Sequence, residues 1–157
     1  MAQQKPIRKP SAIVNRRARF DYALGDEITA GISLSGPEVR AARDGHIQLK
    51  GAYVQIRGNE LWLQGASFSI KLNERGKPGA RAIDDSPRKL LAHRKQIEAL
   101  IASKAQGNTI VPLRLITSGR FIKVVIAVGK GKKHYDKRET LKRRDQEREA
   151  NRAIKHS

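Results

Sequence analysis

The chain has no cysteine. Disulfides and thiolate metal sites are therefore excluded, and an intracellular home fits. No apolar run reaches membrane-spanning length. The opening stretch MAQQKPIRKPSAIVNRR holds no apolar segment of the signal-peptide kind. No internal repeat is present, and no Ser/His/Asp motif such as GxSxG. Acid is scarce: 15 Asp and Glu stand against 33 Lys and Arg, for a formal net charge of +18 and a pI near 10.9.

What is present is basic charge along the whole length. Met1 to Arg19 carries six basic residues and no acid, and Phe20 to Gly129 sixteen basic and ten acidic. Lys130 to Ser157 carries eleven basic and five acidic residues. Long-range attraction to phosphate follows, and it must weaken as salt rises. RNA is the first polyanion to consider. A membrane surface would need an amphipathic helix with bulky apolar anchors. The last segment has only Tyr135, Leu141, Ile154 and a few alanines, so no membrane is expected as a partner.

Three zones are expected. Residues 1–13 are polar, contain Pro6 and Pro10, and read as a disordered N-terminal arm. Residues 14–128 form one compact domain, and residues 129–157 a basic tail. The tail buries too little to offset its own ordering, so it is expected to be disordered alone and helical when held.

Inside the domain, strand signals dominate. Phe20 to Leu34 alternates loosely, as a bent strand pair would. Ser35-Gly36-Pro37-Glu38 opens a short helix to about Arg43. Tyr53 to Ile56 and Leu61 to Gln64 flank Gly58-Asn59, a hairpin signal. Lys71 to Asp84 reads as a loop. Ser86-Pro87 starts a longer helix, with Leu90, Leu91, Ile97, Leu100 and Ile101 on its buried face, ending at Gly107-Asn108. Thr109 to Ile116 and Phe121 to Val128 form a last hairpin, where Pro112 implies an edge or a bulge. The fold class is mainly β with inserted helices. A small antiparallel OB-like barrel is the economical way to leave no open edges, with an open α+β sheet as the alternative.

Several clusters bear on chemistry. Gly129-Lys130-Gly131-Lys132-Lys133 lacks the spacing of a phosphate loop and reads as a lysine-rich hinge against a nucleic-acid backbone. His46, His93, His134 and His156 have no metal-ligand spacing, so no metal and no cofactor are expected. His93 sits beside Arg88, Lys89 and Arg94. It is either a plain exposed histidine or a ring that stacks on a base. The carboxylates are scattered and suggest no catalytic pair. Asn15-Arg16-Arg17-Ala18-Arg19-Phe20-Asp21-Tyr22 combines forked phosphate donors with stacking rings, although Phe20 and Tyr22 also suit a strand core. Tyr135-Asp136-Lys137-Arg138 has an RNA-contact composition.

In register along the chain, several of these segments resemble one family. They are Asn15 to Tyr22, Ala30-Gly31-Ile32, Leu34 to Arg40, Tyr53-Val54, Glu60 to Leu63, Arg88 to His93, Gly129 to Lys133 and Tyr135 to Glu139. The family is that of the SsrA-binding proteins, also called small protein B or tmRNA-binding protein. The resemblance runs from about Asn15 to the C-terminus.

The resemblance implies an OB-like barrel and a role in bacterial trans-translation, as an adaptor and not an enzyme. The partners it implies are the tRNA-like domain of tmRNA and the small ribosomal subunit. Asn15, Arg16, Arg17, Arg19 and Phe20 would face RNA, as would Leu91 and His93. Tyr22, Arg88, Lys89, Lys130, Lys132 and Lys133 complete the expected RNA surface. Tyr135, Asp136, Lys137 and Arg138 would meet the decoding region. Lys142, Arg143 and Ile154 belong to the later tail in the vacant mRNA channel. Thr29 stands where some members have an acidic residue, so no role is carried over there. A monomer in the cytoplasm is expected. The competing readings are a structural ribosomal protein, a general RNA-binding protein, and an RNA-modifying enzyme.

Overall fold

The computed structural model describes residues 12–72, 79–131 and 134–156, and of residues 134–137, 140, 155 and 156 the backbone alone. Most of the expected arm, the middle of the 71–84 loop, and Lys132 and Lys133 therefore lie outside the described residues.

Two apolar runs organise the fold. Thr109–Ile116 (β9) and Lys123–Gly131 (β10) pair antiparallel, and both are buried over most of their length. A strand apolar on both faces needs a layer on each side. One face supplies Ile110, Leu115, Val124 and Ile126 to the main core. The other supplies Val111, Leu113, Val125 and Ala127 to a second, smaller core. The lid of that second core is a one-and-a-half-turn helix, Arg16–Asp21 (α1), through Ala18.

The chain enters through Ala12–Val14 (β1), which pairs with β9. After α1 comes Tyr22–Ile32 (β2), along β10. Gly36–Arg43 (α2) follows, then Ile47–Gln48 (β3), Tyr53–Arg57 (β4), Glu60–Gln64 (β5) and Ser67–Lys71 (β6). Arg81–Asp84 (β7), Arg88–Leu91 (β8) and Arg94–Ala105 (α3) lead back to β9 and β10, and His134–His156 (α4) ends the chain.

The large sheet runs β1-β9-β10-β2-β8-β5-β4, and β4 pairs again with β9 through Val54 and Ile110. That second pairing closes six strands into a ring, so the expected OB-like barrel is the fold. A three-stranded sheet, β3-β6-β7, packs against it. Phe68 of β6 is fully buried with Leu61, Leu63 and Leu90. Each such side chain contributes about 1.5–3 kcal/mol by leaving water.

Several expectations were local and held. The Gly58-Asn59 hairpin joins β4 to β5, and both turn residues have positive φ, as a tight right-twisted hairpin requires. Pro112 marks a bulge: Val125 faces Arg114 while Ile126 faces Pro112, so Leu113 is the extra residue.

Other expectations are corrected. Phe20 lies on α1, and β2 is one bent strand with an irregularity opposite Ala127 and Gly129, not a strand pair. The helix expected from Ser86-Pro87 starts only at Arg94. Arg88 to Leu91 is instead β8, which joins β2 to β5. Leu90 points into the core and Leu91 outward, the period of a strand. Barrel closure needs a strand there, and that pairing overrides the local helix pattern. The expected loop contains β7, paired with β6 from Phe68 to Lys71. The domain extends past both of its expected ends, because Ala12 and Ile13 belong to β1, and Gly129 to Gly131 continue β10 beside Tyr22 to Leu24. The tail, expected to be disordered alone and helical when held, is helical over His134–His156 in the chain alone and contacts α1.

Candidate nucleic-acid interface

Asn15 begins the site, but not as an RNA contact. It is 6% exposed. Its backbone N–H donates to the Leu113 carbonyl at 2.7 Å, and its Nδ2 donates to the Pro112 carbonyl at 2.9 Å. Bulge carbonyls turn out of the ladder, and Asn15 satisfies both. Its Nδ2 is thus used on β9, its buried Oδ1 has no hydrogen-bond partner among the described residues, and the side chain does not cap α1. Asn15→Ala should strand the Pro112 carbonyl and cost about 1–3 kcal/mol. Urea unfolding would measure this, and an unchanged midpoint would refute the anchoring role.

With Asn15 and Ala18 anchored, the rest of α1 faces outward. Arg16, Arg17 and Arg19 are exposed. Arg17 pairs with Asp21 at 3.3 Å and lies over the Phe20 ring, 5.0 Å from its centroid. Phe20 is half-buried and Tyr22 packs on the second core. Tyr22 also abuts Gly129 closely: a Cβ there would sit 3.0 Å from the Tyr22 Cβ. Tyr22 therefore packs as the core reading expected, whereas Phe20 stands on α1 and not in a strand.

Arg88 is the clear correction. It is 4% exposed, inside the molecule between β8 and α2. Its guanidinium lies 4.1 Å from the centroid of the Phe68 ring. Nε is 3.4 Å from Glu38 Oε2, and Nη2 is 3.4 Å from Asp84 Oδ1. Nη1 donates to the carbonyls of Asp84 and Ser86. So Glu38, which the sequence assigned to a helix start, and Asp84, at the end of the expected loop, both serve this cation. The Asp84 carboxyl is held below its ordinary pKa, first by hydrogen bonds from the Ser86 hydroxyl and N–H, and also by the Arg88 charge. Lys89, next along β8, is partly exposed and pairs with Glu60 at 3.1 Å.

Leu91 and His93 do come together, as expected. Leu91 is 56% exposed, unusual for so large an apolar side chain. His93 sits at the N-cap of α3, where its backbone N–H donates to Gln96 Oε1. With Thr29, Gly31, Ala92, Gln96 and Lys123 they line a recess of about 430 Å³. An apolar floor, a flat exposed ring and one cation make a seat for an unpaired base beside its phosphate. Sequence reasoning missed Gln96 and Lys123. The register Lys123–Gly31–Leu91 across three strands unites them, and only the fold sets that register.

Register also separates what the sequence had joined. Gly31 pairs with Leu91 near one end of β2, while Tyr22 pairs with Gly131 at the other. Nine residues of strand span about 25–30 Å. α1 therefore runs from the level of Thr29, where Val14 pairs with Arg114 and Arg114 with Val125, to the tail end at Tyr22, and the Leu91 recess lies at the opposite end of β2 from Tyr22. Lys130, beside Ala23, is exposed at the tail end. On α4, Arg138, Lys142, Arg143 and Ile154 are exposed. Tyr135, Asp136 and Lys137 stand on its first turn, with their side chains outside the described residues.

Comparison with known proteins places this arrangement. An SsrA-binding protein of Levilactobacillus brevis is 40% identical over 99% of both chains. That of Trichodesmium erythraeum is 43% identical over 90% of both. That of Lactobacillus delbrueckii subsp. bulgaricus is 45% identical over 88% of this chain and 89% of its own. A chain of a solved structure described as "tmRNA-SmpB: a journey to the center of the bacterial ribosome" superposes with a TM-score of 0.61. It is 32% identical, over 80% of this chain and 87% of that one. The family model described as SmpB protein matches residues 12–156, and with these relatives it establishes that the chain belongs to the SmpB family.

Proposed function

We propose that this chain is an RNA-binding adaptor of bacterial trans-translation. It binds the tRNA-like domain of tmRNA and presents its tail to a ribosome stalled without a stop codon. The observation that carries this reading is likeness to SsrA-binding proteins across nearly the whole length, tail included. The two-ended barrel supports it, because an adaptor must hold one RNA while offering a second surface elsewhere. No catalytic step is needed: selectivity follows from an occupied mRNA channel excluding the tail. The ribosome as partner makes the cytoplasm the place of action. Among the described residues, no helix is long and apolar enough to cross a membrane.

The Leu91 recess takes an unstacked base of the tRNA-like domain, with Lys123 near its phosphate. Tyr135, Asp136, Lys137 and Arg138 reach the decoding region, and Lys142, Arg143 and Ile154 follow along the channel. The primary test is purification of the tagged protein from a bacterial lysate and sequencing of the RNA that accompanies it. Strong enrichment of one tRNA-like RNA supports the adaptor. A spread of ribosomal and random transcripts would favour a general RNA-binding or ribosome-integrated protein instead.

A sharper test addresses the recess. Leu91→Glu with His93→Ala places a negative charge where a base should stack. Loss of one stack is worth about 1–3 kcal/mol, so affinity for the tRNA-like RNA should fall at least about tenfold. Both side chains are exposed, so the unfolding midpoint should stay put. Undiminished affinity would remove the recess from the interface.

A further inference from the structure

The turn that joins β9 to β10 carries an exposed aromatic ring. Residues 117–122 connect Ile116 to Lys123, which pair across the two strands. Ile122 is buried, while Phe121 beside it is 69% exposed. A ring left so far in water forfeits most of what its burial would contribute. No sequence motif had singled it out.

The loop that carries the ring is held in place. Arg43, in the last turn of α2, reaches it with a forked guanidinium. Its Nη1 donates to the carbonyls of Thr117 and Gly119 at 3.1 and 3.0 Å, and its Nη2 to that of Arg120 at 3.1 Å. Three backbone acceptors on one planar group fix the turn. Gly119 supplies a positive φ of 90°, which other residues rarely adopt. Beside the ring, the Arg120 guanidinium lies 5.5 Å from the Phe121 centroid.

The place of the tip in the fold points to its partner. Lys123 pairs with Gly31, and Gly31 with Leu91. The tip therefore stands at the Leu91 end of the barrel. Two residues of chain place the Phe121 Cα within about 7 Å of that of Lys123. Lys123 already lines the Leu91 recess. Residues 117–123 hold two cations, Arg120 and Lys123, and no acid.

We propose that Phe121 is a second stacking platform for RNA, taking the base that adjoins the one seated in the Leu91 recess. The inference rests on the adaptor reading for the identity of the RNA.

An exposed ring suits either a base or an apolar side chain, and its surroundings here favour the base. Lys123 draws a phosphate to the edge of the recess, and the next nucleotide of the same strand then comes within reach of Phe121. A guanidinium over one face of the ring leaves the other face to a base. Arg120 can at the same time meet the phosphate of the nucleotide so held. An apolar partner would instead strip water from two cations and offer them nothing in return. The Arg43 clamp adds preorganisation: stacking on a ring already held in place costs little further ordering of the loop.

The test is affinity for the isolated tRNA-like domain, measured across salt with the full chain. Phe121→Ala should weaken binding at least about fivefold at every salt concentration. The slope of log K against log salt should stay unchanged, because a lost ring releases no counterion. Phe121→Leu keeps an apolar group without a flat face and should bind no better than Phe121→Ala. Phe121→Trp should bind at least as tightly as wild type. The chain has one tryptophan, Trp62, so Phe121→Trp/Trp62→Phe puts the sole indole at the tip, and bound RNA should quench its emission. Position 121 is exposed, so the unfolding midpoint should hold throughout the series.

Wild-type affinity in Phe121→Ala overturns the proposal. If that variant also loses ribosome rescue, the tip belongs to a different partner. Wild-type affinity in Phe121→Leu overturns it too, since the contact would then be merely apolar, and so does indole emission that bound RNA leaves unchanged. Loss of binding in Leu91→Glu/His93→Ala but not in Phe121→Ala removes the tip alone and leaves the adaptor reading standing. A wild-type chain that fails to bind the tRNA-like domain takes down both.

Discussion

Replacing Tyr135 and Asp136 together by alanine is expected to leave binding of free tmRNA within about twofold while ribosome rescue falls about a hundredfold. Both residues stand on the first turn of α4, directly beyond the end of β10. Alanine is the best helix former, so the backbone of α4 should be retained. Among the described side chains, none of α4 belongs to the barrel core, and the Leu91 recess lies at the opposite end of β2. Affinity for the tRNA-like domain should therefore survive. At the ribosome, the same change deletes a ring able to stack, about 1–3 kcal/mol, and an ionised hydrogen-bonding group, about 1.5–3 kcal/mol. A hundredfold loss, about 2.7 kcal/mol, lies at the lower edge of that sum. A reconstituted rescue assay on stalled ribosomes, paired with RNA titration, reads both quantities. Equal losses in the two would end the division of labour between barrel and tail.

Arg88→Met should behave in the opposite manner: a large loss of stability and no change in the salt slope of RNA binding. Methionine keeps much of the volume beside Phe68 but removes the charge. Glu38, whose side chain is only 17% exposed, is then left without its partner. The carbonyls of Asp84 and Ser86 lose their donor as well. Breaking one side of a buried pair costs about 3–5 kcal/mol, which should appear as a clear drop in urea midpoint at pH 7.

Acid should narrow that gap. The Asp84 carboxyl has a folded pKa below its ordinary value of 3.8. Its contribution is full above 3.8 and is lost as pH falls through the lowered folded value. The difference between wild type and Arg88→Met should therefore shrink below about pH 3.8. Part of Asp84's own acid sensitivity should persist in the variant, because the Ser86 hydrogen bonds are the larger cause and remain. A variant with native stability but a reduced salt slope would return Arg88 to the RNA surface.

Those two expectations mark where sequence and structure parted. Arg88, Lys89, Leu91 and His93 are four neighbours that look like one basic patch. On β8 the side chains alternate, so Arg88 turns into the molecule and Lys89 and Leu91 turn out. Nothing local distinguishes them, since the nearby Ser86-Pro87 and the leucines imitate a helix start. What decides is the need for a strand between β2 and β5. In the same way Asn15 looks like a polar RNA contact. Its true partners, the carbonyls of Pro112 and Leu113, are almost a hundred residues distant in sequence.

The sequence by itself determined the basic character, the absence of disulfides and the Gly58-Asn59 hairpin, and it narrowed Pro112 to an edge or a bulge. Its ordered motifs determined the family. Each of these depends on composition, on a local turn, or on residues that act independently of their neighbours in space. Only the tertiary structure decided which cations stay exposed and which are spent inside. Only it divided the expected interface between two ends of the barrel, and only it brought Lys123 beside Leu91 and His93. The reason is physical: a side chain's direction is set by strand register and burial, and those are fixed by pairings between residues far apart in the chain.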